Sequence, residues 1–153
     1  MSDRADQPVD RWLAEERLTH LIIGAFFRVY NQLGFGFLEH LYVRALEREL
    51  VTRGHAVGRE VGIPVRYKGE ELGTQRLDMI VDGRLVVETK STYELHKAAP
   101  RQVYNYLRAT RLEVGLLLHF GPQPRFYRLL CRNTRRVSSP KESDSSVQSD
   151  ASG

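Results

Sequence analysis

The period of the hydrophobic pattern changes after Gly54, and the change marks where two helices give way to strands. Between Leu13 and Leu33 the apolar residues recur at steps of three and four, which is the period of an amphipathic helix. After Gly54 the period falls to two, which is the period of a strand. The chain therefore must pack helices formed early in the sequence against a sheet formed later.

The same patterns predict the order helix, helix, three strands, helix, two strands. A second helix is expected from about Leu38 to Thr52, with Gly54 as its stop. The remaining elements are expected at 61–69, 72–81, 84–90, 100–110, 113–121 and 125–132. This order predicts an α/β fold, with a mixed central sheet of about five strands flanked by helices.

The two ends differ in composition from the middle. The 153 residues suit one domain, and the last 16 hold seven serines and no aromatic residue, so they cannot bury enough surface to offset chain entropy. We expect a flexible N-terminus at 1–12, one domain at 13–137 and a disordered tail at 138–153. No run approaches a membrane span and no apolar signal stretch is present, which predicts a cytoplasmic protein without membrane contact.

Charge and cysteine content limit the kinds of partner and of metal site that this chain can have. The net charge is +4, and both ends carry more acids than bases, so the predicted domain is more basic than the whole chain. A basic domain suits an anionic partner such as nucleic acid, although charge alone is weak evidence. The single cysteine, Cys131, excludes an internal disulfide and a thiolate-rich zinc site, and we expect it to be structural.

Three charged residues interrupt two predicted strands on either side of the turn Asp82-Gly83. Asp78 lies in the strand before the turn, and Glu88 and Lys90 lie in the strand after it. Side chains two positions apart share one face of a strand, so Glu88 and Lys90 project together. Whether Asp78 joins them depends on how the hairpin pairs.

The length of the turn decides the face on which Asp78 lies. A tight two-residue turn would place Asp78 and Glu88 on opposite faces of the sheet. A three-residue loop at 81–83, with Gly83 left-handed as a bulge, pairs Asp78 with Val86 and makes Asp78 and Glu88 diagonal neighbours. We therefore predict a bulged or three-residue turn.

A divalent cation held between these carboxylates would account for them. Carboxylate and carbonyl oxygens are the ligands that Mg²⁺ or Mn²⁺ prefers, and no histidine or thiolate competes nearby in the sequence. Such a cation lowers the pKa of a bound water and neutralises charge on a phosphate, and Lys90 would orient that water or stabilise the transition state. The spacing also fits a surface ion pair between Glu88 and Lys90, and spacing alone does not decide.

Four motifs together carry a resemblance to a known family. GFLEHLY at 36–42 precedes Asp78, the triplet Glu88-Thr89-Lys90, and QVYNYL at 102–107. In this order they resemble the GxxExxY family of small bacterial proteins, members of the PD-(D/E)XK nuclease superfamily. The resemblance covers about residues 18–130. It implies a restriction-endonuclease-like core of a helix, three strands, a helix and a strand, which agrees with the predicted order.

The resemblance also implies a role for each motif residue. The expected metal ligands are Asp78, Glu88 and the carbonyl of Thr89, and the expected catalytic residues are Lys90, Glu39 and Gln102. The chain departs from the superfamily pattern at two positions. Leu77 replaces the namesake proline, and polar Thr89 stands where an aliphatic residue is usual.

Several of these residues have simpler explanations that the sequence leaves open. Glu39 also fits an acid favoured at the positive end of a helix. Tyr42 fits core packing, and Gln102 and Tyr106 fit ordinary helix surface and core. Four histidines lack a paired spacing and are expected to be non-catalytic: His40, His55, His96 and His119.

Metal-dependent hydrolysis of nucleic acid, with DNA favoured over RNA, is the leading hypothesis. Basic residues on the flanking elements are candidates for phosphate contacts: Arg44, Arg76, Arg101, Arg108 and Arg111. The alternatives are an inactive module of the same fold that binds nucleic acid or a protein, and a basic protein whose acids form ion pairs on opposite sheet faces. Superfamily members often dimerise to cut two strands, which makes a homodimer an expectation, although no segment identifies an interface.

Overall fold

The computed structural model describes residues 8–132, with side chains described from residue 15. Three helices and five strands follow the predicted order: α1 (Pro8–Leu33), α2 (Glu39–Thr52), β1 (Val57–Tyr67), β2 (Glu70–Val81), β3 (Leu85–Lys90), α3 (Ala99–Thr110), β4 (Val114–Phe120) and β5 (Pro124–Leu130). Helix α1 begins at Pro8, earlier than the predicted Leu13. The predicted disordered tail lies outside the described residues, so it stays a prediction. Across residues 8–132, no helix is both long and apolar enough to cross a membrane.

The five strands form one mixed sheet in the order β1-β2-β3-β4-β5. Only β3 and β4 are parallel, and the other neighbours are antiparallel. A parallel pair needs a crossover connection, and α3 supplies it. The predicted α/β fold with a mixed sheet of five strands is therefore confirmed.

The sheet is covered on both faces. Helices α1 and α2 pack on one face, against Met79, Val87 and Leu116 among others, and α3 packs on the other, against Val86 and Leu117. Every residue of β4 is buried, as its continuous apolar sequence predicts for a strand covered on both sides. The two cores leave the ends of the strands as the place where polar side chains can meet.

At one point along β1 and β2, the buried side chains change from one face of the sheet to the other. Met79 belongs to the core under α1 and α2, whereas Leu77, two residues earlier, belongs to the core under α3. The regular pairing omits Glu60 and Asp78, which would be partners, and Glu60 has a left-handed φ of 50°. Asp78 therefore lies at a break in the alternation of β2, where its side chain need not follow either core.

The β2–β3 turn has three residues, as predicted, but it lies one residue later in the chain. Val81 pairs with Leu85, so the loop is 82–84 rather than 81–83. Val81 stays in the strand because it is buried and also pairs with Val57 of β1. Asp82 and Gly83 both have positive φ, and the Arg84 N–H donates to the Val81 carbonyl at 3.0 Å.

The Asp82 side chain fixes this turn against the end of β1. Its carboxylate accepts a hydrogen bond from the Ala56 N–H at 2.8 Å and lies 2.8 Å from His55 Nδ1. Burial acts to raise the pKa of Asp82, but these hydrogen bonds and the nearby charges of His55 and Arg84 lower it overall. The corrected register keeps Asp78 and Glu88 on one face but places them directly opposite each other, not diagonally.

Tyr42 holds the loop between α1 and α2. Its hydroxyl donates to the Gly34 carbonyl at 2.6 Å and accepts from the Phe37 N–H at 3.2 Å. Its ring is fully buried and stacks on Phe120, with centroids 4.3 Å apart. Tyr42 thus has the packing role that the sequence left open, and it fixes where α2 begins, at Glu39.

We expect Gly115→Ala to lower the free energy of unfolding by about 1–3 kcal/mol, because α3 lies close against β4 there. An added Cβ would lie 2.7 Å from Val103 Cγ1 and 3.4 Å from the Leu107 methyl carbons. Urea denaturation measures the change. Gly73→Ala is the matched control, since a Cβ at that position meets nothing within 4 Å. Equal stability of the two variants would show that α3 does not pack as described.

Candidate active site

The candidate site lies where β2 and β3 stop pairing. Their ladder joins Met79, Ile80 and Val81 to Val87, Val86 and Leu85 and ends there. Asp78 and Glu88 are the next residues outward on the two strands. Beyond this point β3 continues to pair only with β4, and β2 pairs only with β1. The strands therefore separate at the two carboxylates and leave room between them.

Hydrogen bonds across this fork tie the two strands together. The Asp78 N–H donates to Glu88 Oε2 at 3.2 Å. Asp78 Oδ2 accepts from the Thr89 N–H at 2.8 Å and from Thr89 Oγ1 at 2.9 Å. These bonds bring the two acids together at the end of the ladder. The Thr89 hydroxyl takes part in this network, a role that its position in the triplet did not indicate.

Glu88 is the most buried acid of the group and the most perturbed. Glu88 is only 4% exposed to solvent. Burial, followed by the negative charge of Asp78, raises the pKa of Glu88 to about 7. Lys90 Nζ lies 3.6 Å from Glu88 Oε1, and its charge acts in the opposite direction. The ion pair between Glu88 and Lys90 that the sequence allowed is present. It is partly buried, and a second acid, Asp78, lies beside it.

Glu39 approaches the pair from the first turn of α2. It is half-buried, and burial together with the charge of Asp78 raises its pKa, while Lys90 lowers it. Glu39 also lies in the first turn of α2, at the positive end of the helix dipole. Its place near the acids and its place at the helix end are therefore compatible. The site is therefore bounded on one side by the start of α2.

Helix α3 bounds the site on the other side. Gln102 Nε2 donates to the Tyr106 hydroxyl at 3.0 Å. Burial and the negative charge of Glu88 raise the pKa of Tyr106, which places this hydroxyl within electrostatic reach of the acids. Gln102 also lines a cleft of about 410 Å³ together with Lys90. Gln102 thus lines the cleft with Lys90, and Tyr106 lies within the electrostatic influence of Glu88.

The oxygen atoms at the fork fit a hard divalent cation. Asp78 and Glu88 each have one carboxylate oxygen in the hydrogen bonds across the fork, and their other oxygens are Asp78 Oδ1 and Glu88 Oε1. Two adjacent carboxylates, one of them buried, favour a positive ion between them. Within residues 8–132, no three or more side chains of histidine, cysteine, aspartate or glutamate are grouped as metal ligands. A metal here would need the main-chain carbonyl of Thr89 beside the two carboxylates.

The candidate phosphate-binding arginines do not all lie near this site. Arg101 lines the cleft that contains Lys90. Arg44 lines a different groove, between α1 and α2, and Arg76 is exposed on β2, 3.9 Å from Glu60. Arg108 is exposed in the last turn of α3. Arg111 is exposed at the C-cap of α3, so of the five only Arg101 lines the cleft that contains Lys90.

Three further polar residues line the Lys90 cleft and were not predicted: Gln75, His96 and Asn105. Asn105 lies three residues after Gln102 on α3, so helical spacing could have indicated it. Gln75 and His96 lie on β2 and on the β3–α3 loop. Their positions depend on how the strands twist and how the loop folds, and no local spacing in the sequence reports either.

We expect removal of the Asp78 charge to lower the pKa of Glu88. When folding raises the pKa of a carboxyl group, that group stabilises the fold fully at pH values below its pKa in the unfolded chain, which is 4.5 for Glu88. This stabilisation is lost as the pH rises through the folded pKa of about 7. In the unmodified protein without metal, the free energy of unfolding should fall between about pH 5 and pH 7.5. In Asp78→Asn this fall should be smaller by about 1–2 kcal/mol. Urea denaturation at both pH values, in the presence of a chelator, measures it.

Glu71→Gln on the exposed part of β2 controls for a general change of charge. That variant should show the same pH dependence as the unmodified protein. An unchanged pH dependence in Asp78→Asn would mean that Asp78 does not determine the titration of Glu88.

Comparisons with known proteins give the chain its family. No curated protein matches it. The crystal structure of SSO0001 is similar, with 20% sequence identity and a TM-score of 0.49 over 79% of this chain and 61% of that one, so the chain spans less than two thirds of that protein. The model of the PD-(D/E)XK nuclease superfamily matches residues 16–129, which include all the candidate site residues. The mixed sheet and its helices are the restriction-endonuclease-like core, and the chain belongs to the PD-(D/E)XK nuclease superfamily.

Proposed function

We propose that this protein hydrolyses phosphodiester bonds in DNA with the help of a divalent metal ion. The observation that carries the proposal is the pair Asp78 and Glu88 at the end of a strand ladder, with Lys90 Nζ 3.6 Å from Glu88. Holding a buried acid beside a second, partly buried one costs free energy unless positive charge compensates them. A structural role alone would be met at lower cost by apolar residues.

Asp78, Glu88 and the carbonyl of Thr89 would hold Mg²⁺ or Mn²⁺. When bound, the ion would supply charge neutralisation at the phosphate and would lower the pKa of a water molecule. The protein contributes the position of the carboxylates. Thr89 holds Asp78 through two hydrogen bonds, and the Asp78 N–H holds Glu88, so neither carboxylate needs to reorganise when substrate binds.

Lys90, Glu39 and Gln102 would act on the substrate side of the site. Lys90 carries the positive charge that would stabilise the developing charge on a phosphate oxygen or orient the attacking water. Glu39, half-buried and with a raised pKa, would accept a hydrogen bond from that water. Gln102 lines the cleft with Lys90 and would position the phosphate.

We also propose membership of the GxxExxY family within the superfamily. In the motif at 36–42, Glu39 opens α2 beside the acids, and Tyr42 holds the preceding loop through the Gly34 carbonyl. The first glycine, Gly36, has a φ of 110°, a conformation that L side chains rarely adopt. The three named positions of the motif therefore have distinct physical tasks that support this assignment.

The partner and location follow as further parts of the proposal. DNA is the proposed polymer, in keeping with the superfamily, with Arg101 as the first candidate for a phosphate contact because it lines the cleft. A cytoplasmic location and a homodimer that cuts two strands remain predictions from the sequence and the resemblance.

Asp78→Asn and Lys90→Met should each reduce Mg²⁺-dependent cleavage of DNA by at least about 100-fold. Each removes a charge from the site without changing the size of the side chain greatly. Cleavage of labelled DNA and of RNA with the same sequence measures activity, and urea denaturation checks that the variants fold.

Lys68→Met is the matched control, because Lys68 lies at the β1–β2 turn, outside the residues described at the site. It should keep full activity. Cleavage that persists equally in Asp78→Asn and Lys90→Met would place the activity elsewhere or in a contaminant. Cleavage of RNA alone would keep the site and replace the proposed polymer.

One observation favours a second function, a binding module without catalysis. Thr89 replaces the usual aliphatic residue and directs two hydrogen bonds at a single oxygen of Asp78. Those bonds compete with a metal for that oxygen. A chain of this superfamily that only binds nucleic acid could be stabilised in this way without any ion.

Thr89→Val separates the two functions. If the acids bind metal, removing the competing hydroxyl should strengthen Mg²⁺ binding a few-fold, while losing about 1 kcal/mol of stability. Isothermal calorimetry with Mg²⁺ measures the affinity. Thr110→Val is the control, since its hydroxyl also donates within the protein, to the Tyr106 carbonyl at 2.8 Å. No specific Mg²⁺ binding in either variant or in the unmodified protein would favour the binding module.

A further inference from the structure

We propose that the cavity beside the candidate site holds an unpaired nucleotide next to the scissile phosphate. The substrate class would then be single-stranded DNA, or a duplex with a locally unpaired end. This inference rests on the proposed function, because the scissile phosphate is what brings a nucleotide beside Lys90. Three features of the described residues support it: two loops joined by aromatic rings, a basic and aromatic cavity, and the position of that cavity next to the Lys90 cleft.

Two exposed aromatic rings meet at the rim of the site. Phe35 is 42% exposed and Tyr93 is 71% exposed, and their ring centroids lie 6.1 Å apart at an angle of 65°. Phe35 belongs to the loop that leads to Glu39, and Tyr93 belongs to the loop that follows Lys90. The pair therefore joins the two loops that adjoin Glu39 and Lys90, and both rings are exposed to solvent there.

Tyr93 also lines a cavity of about 550 Å³, a volume in the range of small-ligand sites. A second tyrosine, Tyr127, contributes to the lining and is 38% exposed. The cations Lys97 and Arg125 line the same cavity, with Glu94 as its single acid. Aromatic rings beside cations are what a nucleotide requires, since its base stacks and its phosphate is negative.

The cavity adjoins the cleft of the candidate site. His96 lines both the cavity and the cleft that contains Lys90. His119, another residue of the cavity wall, pairs directly with Lys90 in the parallel ladder of β3 and β4. Its Nε2 lies 2.7 Å from the Thr92 carbonyl, which fixes the loop that carries Tyr93. A strand with its phosphate at Lys90 would thus reach the cavity with the adjacent nucleotide.

The aromatic lining selects against a paired nucleotide. In a duplex both faces of a base are stacked on its neighbours, so a base can stack on Tyr93 or Tyr127 only after it leaves the helix. Phosphate contacts alone would make no such distinction, because both forms of DNA carry them. The cavity therefore adds a preference for unpaired DNA to whatever affinity the basic residues provide.

The test is binding of a labelled oligonucleotide, single-stranded and as a blunt duplex of the same sequence, measured by fluorescence anisotropy. The unmodified full chain is used with a chelator, so no metal-dependent cleavage takes place. We expect the single strand to bind at least about 10-fold more tightly than the duplex. Equal affinities, or a preference for the duplex, would overturn the proposal.

Variants at Tyr93 show whether stacking is responsible. Tyr93→Ala should weaken single-strand binding by about 5- to 100-fold and leave duplex binding unchanged, whereas Tyr93→Phe should stay within about 2-fold of the unmodified protein. Tyr67→Ala is the matched control, since Tyr67 is a similarly exposed tyrosine, 61%, at the end of β1. An equal effect of Tyr93→Ala and Tyr67→Ala would overturn the assignment.

Arg125→Gln tests the cation of the cavity separately. Removing one phosphate contact should reduce the slope of log affinity against log salt by about 0.7 for the single strand. Tyr93→Ala should leave that slope unchanged, because stacking releases no counterions. An unchanged slope in Arg125→Gln would remove the phosphate contact from the proposal.

These experiments test nucleotide binding in the cavity separately from the proposed nuclease activity. Binding without metal does not require Asp78 or Lys90 to be catalytic. Loss of the single-strand preference with intact cleavage would overturn the cavity alone. Loss of cleavage with an intact preference would instead overturn the nuclease and leave a module that binds unpaired DNA.

Discussion

The burial of Glu88 beside a second carboxylate, that of Asp78, is the constraint on which the rest of the site depends. Asp78 and Glu88 meet because the ladder between β2 and β3 is only three pairs long. Burial, followed by the charge of Asp78, raises the pKa of Glu88 to about 7, well above that of a solvated acid. A main-chain donor and the ion pair with Lys90 act in the opposite direction.

The elements around the acids serve to hold them in place. Tyr42 fixes the loop before α2 and thereby the position of Glu39, while α3 packs closely on β4 at Gly115 and places Gln102 over the cleft. None of these supports is itself charged. The apolar cores on the two faces of the sheet thus determine where polar atoms meet, although they take no part in the chemistry.

Much of this arrangement could be predicted from the sequence, because it depends on local pattern. The period of the apolar residues gave the element order, and the parity of positions in the hairpin placed Asp78 and Glu88 on one face. The loop was predicted one residue too early because burial of Val81 between two neighbouring strands is a tertiary effect. The paired break at Glu60 and Asp78 and the lining of the cavity by His96 also depend on packing across the sheet. No spacing along one segment reports such contacts.

The single parallel pair in the sheet has a consequence for the order in which the protein assembles. The β2–β3 hairpin closes a loop of three residues, so the two acids can meet early and with little loss of chain entropy. Lys90 and His119 become neighbours only after the whole β3–α3–β4 crossover has formed, which is a slower, non-local event. The meeting of the two acids is thus a local feature of the chain, whereas the wall of the cavity beside Lys90 depends on the non-local crossover.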